Sequence, residues 1–169
     1  MMEASKWLGH ATRLAGAGAG RTPIIDLRRG VSAAYYALYH GLTGHAAAHA
    51  LPGLPTEQLA LRRSYGHGTM KSACTWVMGS AKPGGRRVRR VIALASDDAR
   101  MVRVAETFID LQQGRHDADY DHTAAFSKSA VTAAVTQSAN AVRDLADGRG
   151  LDGYIAFMAL LTLGARDLR

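Results

Sequence analysis

Arg115-His116-Asp117-Ala118-Asp119-Tyr120-Asp121-His122 sets a permanent cation and two imidazoles around a short acidic stretch. An arginine stays charged at any physiological pH and grips a phosphate through two parallel hydrogen bonds, whereas a histidine gains or loses a proton near neutrality. Together these groups suffice to cleave a phosphodiester without a metal. The same arginine has a structural use, pairing with Asp119 or Asp121 and capping the end of the preceding helix, where cations are favoured.

Spacing alone carries little weight. With seventeen arginines and seven histidines in 169 residues, about two arginine–histidine pairs separated by four to six residues are expected by chance. A second one exists, Arg62 and His67.

The elements that position these residues are helices. Apolar residues recur at helical intervals along the chain, and no alternating strand pattern with a tight hairpin turn competes with them. A first helix is predicted from Glu3 to about Ala15, ended by the glycine-rich run from Gly16 to Gly20. Thr22-Pro23 opens a second, running to about Ala50, with Val31, Tyr35, Leu38 and Leu42 as its core stripe. Thr56 is a cap for a third, which the pair Gly66 and Gly68 should break at a cost of about 2 kcal/mol relative to alanines; helix resumes from about Thr69 to Met78.

A long fourth helix is predicted from Arg86 towards Arg115, with Val88, Val91, Ile92, Ala95, Ala99, Val102, Ala105 and Ile109 facing inwards. The acidic stretch then reads as a turn. A fifth helix follows from about His122 to Leu145, capped by Asp121, with Val131, Val135, Ser138, Val142 and Leu145 on one face. Leu151, Tyr154, Ile155 and Met158 define a last helix over 151–169. Short loops between helix pairs indicate an all-α, antiparallel up-and-down bundle. The length suits a single domain, 1–169.

Composition narrows the setting. The one cysteine, Cys74, rules out an internal disulfide framework and reads as a buried thiol. The start of the chain has no basic segment leading into an apolar run, so no secretory signal is expected and a cytoplasmic location follows. The longest apolar stretch, Tyr154 to Ala165, is too short to cross a bilayer, and no membrane partner is expected.

Net charge is +7, and Lys82 to Arg103 holds seven basic residues against Asp97 and Asp98. Arg86, Arg87, Arg89 and Arg90 are the candidate contacts to a phosphate backbone, since a local cationic field draws in polyanions; a solvated helix face is the alternative. His45 and His49 stand one turn apart with His40 nearby, but no carboxylate or cysteine joins them, so neither a metal site nor a cofactor is expected. Tyr35, Tyr36 and Tyr39 could stack bases and fit core or dimer contacts better.

Three segments, Ser32-Ala33-Ala34-Tyr35-Tyr36-Ala37-Leu38-Tyr39-His40, Tyr65-Gly66-His67 and Arg115-His116-Asp117-Ala118-Asp119-Tyr120-Asp121, resemble the HEPN superfamily in order and in helical setting. The likeness covers roughly 21–145 and is closest to small bacterial members with a Tyr-Tyr-Ala-Leu-(Phe/Tyr)-His helix and an Arg-His-x-Ala-Asp-Tyr segment. The helix over 151–169 would be an addition.

The resemblance implies a HEPN-like helical bundle that forms a homodimer, often paired as a toxin with a nucleotidyltransferase antitoxin. Active members are metal-independent endoribonucleases whose signature is an arginine followed after four to six residues by a histidine. Arg115 and His122 fit it at the upper spacing, although many toxin members carry a tyrosine two positions after the histidine where this chain has Ala124.

On that reading Arg115, with its symmetry mate, holds the scissile phosphate of an RNA and offsets transition-state charge. His122 moves the proton of the ribose 2′-hydroxyl or of the leaving oxygen, leaving a cyclic phosphate. His116 orients the phosphate, and Asp119, Tyr120 and Asp121 support the site. The rivals are a non-catalytic HEPN module that binds a nucleotidyltransferase, nucleotide or nucleic acid, and a homodimeric scaffold.

Overall fold

Helix ends are set by local chemistry that the sequence carries openly, and by an aspartate and a serine, Asp98 and Ser127, that cap the helices following them. The computed structural model describes residues 2–16, 22–79 and 85–163. Among them the chain forms eight helices and no strand: α1 Met2–Leu14, α2 Ile24–Ala50, α3 Pro55–Ser64, α4 His67–Val77, α5 Arg86–Ser96, α6 Ala99–Tyr120, α7 Lys128–Asp147 and α8 Asp152–Leu163. The architecture is an all-α helical bundle. No helix among these residues is long and apolar enough to cross a membrane.

Two compact units divide the chain, residues 1–41 with 107–142 and residues 42–106 with 143–169. In the first, α2 and α6 run antiparallel. Arg28 reaches the C-terminal end of α6, Ser32 bonds to Asp119, and the Tyr35 ring lies 5.5 Å from that of Phe108. Ala15, Leu27, Val31, Ala118 and Val131 form its buried cluster, with Phe126 packed against it. Ser138 of α7 donates its buried hydroxyl to the Ala34 carbonyl at 2.8 Å. Gly30 permits the close approach of α7, since a Cβ there would come within 2.6 Å of Val131.

In the second unit, α4 and α5 pack on α8. The last helix contributes the buried Tyr154, Phe157, Met158, Leu160 and Leu161. Met70, Ala73, Cys74 and Val77 face inwards from α4, and burial pushes the Cys74 thiol up from its ordinary pKa. Ser96 Oγ donates to the Val77 carbonyl at 2.8 Å, and the Tyr65 hydroxyl meets Thr162 Oγ1 at 3.0 Å. Arg103 grips Asp144 with two hydrogen bonds of 3.0 Å. Gly153 lies so close to Asp98 that a Cβ there would collide with the aspartate's own.

Several boundaries differ from the sequence-based expectation. The break around Gly66 is present, but α4 begins at His67 and Thr56 lies inside α3, whose first residue is Pro55. The single long fourth helix is in fact two, α5 and α6, parted at Asp97-Asp98. Asp98 Oδ1 accepts the Arg100 backbone N–H at 3.0 Å, the capping bond that starts a new helix. The break shifts the phase of the inward stripe. Ala99 is exposed, while Met101, Val104, Ala105, Phe108 and Leu111 are buried.

The acidic stretch is no turn, because α6 continues through it to Tyr120. The following helix starts at Lys128 and not at His122. Its cap is Ser127, whose hydroxyl accepts the Ala130 N–H at 3.1 Å. Of the residues expected to define the last helix, Tyr154 and Met158 are buried in α8, Ile155 is exposed there, and Leu151 is exposed just before it; 164–169 of the predicted span lie outside the described residues.

Candidate functional site

Arg115 occupies the last turns of α6, with Asp119 one turn on and on the same face. Its Nε donates to Asp119 Oδ2 at 2.7 Å, and the other oxygen of that carboxylate accepts the Ser32 hydroxyl at 2.8 Å. The carboxylate therefore takes only the inner nitrogen of the guanidinium. Nη2 makes a long contact of 3.5 Å to the Tyr120 hydroxyl, the guanidinium carbon lies 5.7 Å from the Tyr120 ring centre, and among the described residues neither terminal nitrogen hydrogen-bonds a carboxylate. Partial burial works against the Arg115 charge, and the Tyr36 hydroxyl with the Asp119 carboxylate outweighs it, so the pKa is raised.

His116 is exposed, and its ring lies 5.1 Å from that of Tyr120, itself 62% exposed. His122 stands in the turn after α6 and is exposed. That turn is tightly held. Asp121 Oδ1 accepts both the Thr123 N–H at 2.8 Å and the Thr123 hydroxyl at 2.6 Å, and these bonds hold its carboxyl below the ordinary range. Asp121 thus serves the turn and does not cap α7. Asp117 accepts from Gln113 at 2.7 Å. Each aspartate of the stretch has a partner, and among the described residues only Asp119 is paired with a cation.

Arg28 was missed from the sequence. Its Nη1 donates to the carbonyls of Ala118 at 3.0 Å and Asp121 at 2.9 Å, its Nη2 donates to that of Ala124 at 2.8 Å, and the guanidinium sits 5.3 Å from the Phe126 ring centre. The cap on the end of α6, one of the uses considered for Arg115, belongs to Arg28. A faint signal existed. A basic residue in the early turns of a helix opposes the macrodipole, so it is employed elsewhere.

The other singled-out residues separate cleanly. Arg86, Arg87, Arg89 and Arg90 are all exposed on α5 around the buried Val88, and no ion pair among the described residues engages them. Arg62 and His67 lie on either side of the Tyr65-Gly66 break. His45 is a core residue, 3% exposed, with Nδ1 3.0 Å from the Tyr154 hydroxyl. Tyr35 is fully buried, as expected of a core ring, while Tyr36 and Tyr39 are partly covered.

Among the described residues no cluster of three histidine, cysteine or carboxylate side chains could hold a metal. No family model matches the chain, and comparison with curated proteins and with solved structures found no similar protein.

Proposed function

We propose that this chain is a HEPN-type, metal-independent endoribonuclease of a toxin–antitoxin or defence system, acting as a homodimer and held in check by a nucleotidyltransferase partner. The observation that carries the reading is the one-sided ion pair of Arg115. Asp119 fixes the guanidinium through Nε and leaves the terminal edge without a carboxylate hydrogen bond, the edge that a phosphate would take in two parallel bonds. Exposed imidazoles follow at His116 and, in the clamped turn, at His122.

In this mechanism Arg115 binds the scissile phosphate and stabilises the charge that builds on its oxygens. One imidazole, His122, removes the 2′-hydroxyl proton, and the freed oxygen attacks phosphorus. The P–O5′ bond breaks and the 5′-oxygen takes a proton from the now protonated His122 or from water, giving a 2′,3′-cyclic phosphate and a 5′-hydroxyl. His116 turns the phosphate towards the attack. The pairing of Arg115 with Asp119 also supports a second reading, in which the segment is structural and the chain is a non-catalytic module for a nucleotidyltransferase, nucleotide or nucleic acid.

Cleavage of RNA in EDTA by purified protein decides between them, with Arg115→Ala, His122→Ala, His116→Ala and Arg62→Ala compared. Loss in the Arg115 and His122 variants with retention in Arg62→Ala is expected. Equal activity in all of them removes the assignment.

A further inference from the structure

A row of rings from two helices runs beside Arg115. Ser32, Tyr36 and His40 recur one turn apart on α2 and share a face. The Ser32 bond to Asp119 fixes the register of α2 against the antiparallel α6. One turn along α2 from Ser32 is Tyr36, and one turn back along α6 from Asp119 is Arg115, so the register sets Tyr36 opposite Arg115.

Trp7 of α1 lies across this row. Its ring centre is 5.3 Å from Tyr36 at an interplanar angle of 33°, and 5.9 Å from His40 at 20°, close to parallel. His10 meets Trp7 edge-on at 6.2 Å, and Tyr39 meets Tyr36 edge-on at 6.4 Å. Trp7, Tyr36 and His40 are only partly covered, and Lys6 and His10 beside them are exposed. Behind the row lie the fully inaccessible Tyr35 and Phe108, and Tyr35 meets Tyr36 edge-on at 5.4 Å, so the core backs the row from one side only. The outer row is therefore partly open rings next to a guanidinium whose terminal nitrogens hydrogen-bond no carboxylate.

Single-stranded nucleic acid is recognised by that combination, a cation for the phosphate and aromatic faces for the adjoining base, because every base has a π-face. We propose that Trp7, Tyr36 and His40 form a nucleobase platform, on which the base next to the phosphate held by Arg115 stacks. The inference rests on Arg115 as a phosphate holder and adds the part of the substrate that the catalytic residues do not touch.

The direct test uses Trp76→Phe protein, in which Trp7 is the sole tryptophan, titrated in EDTA with a 2′-O-methyl hexanucleotide that has no free nucleophile. An abasic ribose-phosphate hexamer is the second probe. Quenching of Trp7 fluorescence by the base-bearing strand and not by the abasic one is expected; no quenching, or equal quenching by both, overturns the proposal.

Affinity gives an independent reading. Trp7→Leu should weaken the base-bearing strand about tenfold and leave the abasic one unchanged, with Trp7→Phe retaining most of the affinity. A Trp7→Leu protein that binds RNA normally but changes its oligomeric mass makes the rings a contact between copies and refutes the platform. Quenching without RNA cleavage removes the nuclease and leaves the platform, and cleavage without quenching does the reverse.

Discussion

Asp119 meets Arg115 from one side only, Oδ2 to Nε at 2.7 Å, and its second oxygen is taken by Ser32 at 2.8 Å. The carboxylate thus holds the guanidinium in place and also subtracts from the positive field a phosphate would feel. Both partners are partly open to solvent, so the pair contributes about 0.3–0.5 kcal/mol to stability.

Asp119→Asn keeps hydrogen-bonding groups at that position and removes the negative charge. RNA binding should tighten by about three- to tenfold at low salt, and the gain should disappear at high ionic strength, where exposed charges are screened. Titrations at two salt concentrations check this. Unchanged or weaker binding at low salt would show that no phosphate approaches Arg115.

Arg28 contributes by joining α2 to the carbonyls that end α6 and to the turn bearing His122. Charge-assisted bonds to otherwise unpaired carbonyls make Arg28→Ala costly, by about 2–4 kcal/mol in denaturant unfolding. Arg28→Lys should recover only part of this, because a single ammonium cannot fork to carbonyls on both sides of the turn. If the turn bearing His122 serves the proposed RNA cleavage, that cleavage should fall in both variants even under conditions where they are fully folded.

His45 makes stability depend on pH. Burial, reinforced by the charge of Arg149, lowers its pKa from 6.5 to about 4. A histidine with a folded pKa below its unfolded one takes up a proton on unfolding. Stability is therefore complete above about pH 6.5 and declines as the pH falls towards about 4, by on the order of 3 kcal/mol. Nε2 of His45 is buried without a hydrogen-bond partner among the described residues, so His45→Leu forfeits the Tyr154 bond and should flatten this part of the pH profile. Unfolding curves between pH 4 and 7 for both proteins measure the difference.

The four arginines of α5 stand exposed around one buried valine, so replacing them leaves the core intact. If they contact a phosphate backbone, the variant with Arg86, Arg87, Arg89 and Arg90 all changed to Gln should bind single-stranded RNA more weakly. The slope of log affinity against log salt should become shallower by about 3. An unchanged slope would make the patch a solvated face.

Much of the helical layout is legible from residue order. The run from Val31 to Leu42 buries the four predicted stripe residues because helical periodicity depends only on near neighbours. The breaks at Gly66 and after Ala50 follow equally local rules. Asp97-Asp98 misled the reading. Aspartate inside an amphipathic pattern looks like a polar face, and only the Asp98 bond to the Arg100 N–H shows a cap. The acidic stretch misled it in the other direction, since Arg28, some ninety residues away in sequence, satisfies the carbonyls where α6 ends.

Sequence by itself determined that this chain is helical and that four arginines cluster on one helix, because each follows from spacing within one element. Tertiary structure alone decided that Asp119 is shared with Ser32, that Tyr36 stands opposite Arg115, and that Trp7 covers Tyr36 and His40. The physical reason is register: a helix's own periodicity defines the face it offers, but which turn of a distant helix meets that face is set by packing and long-range hydrogen bonds.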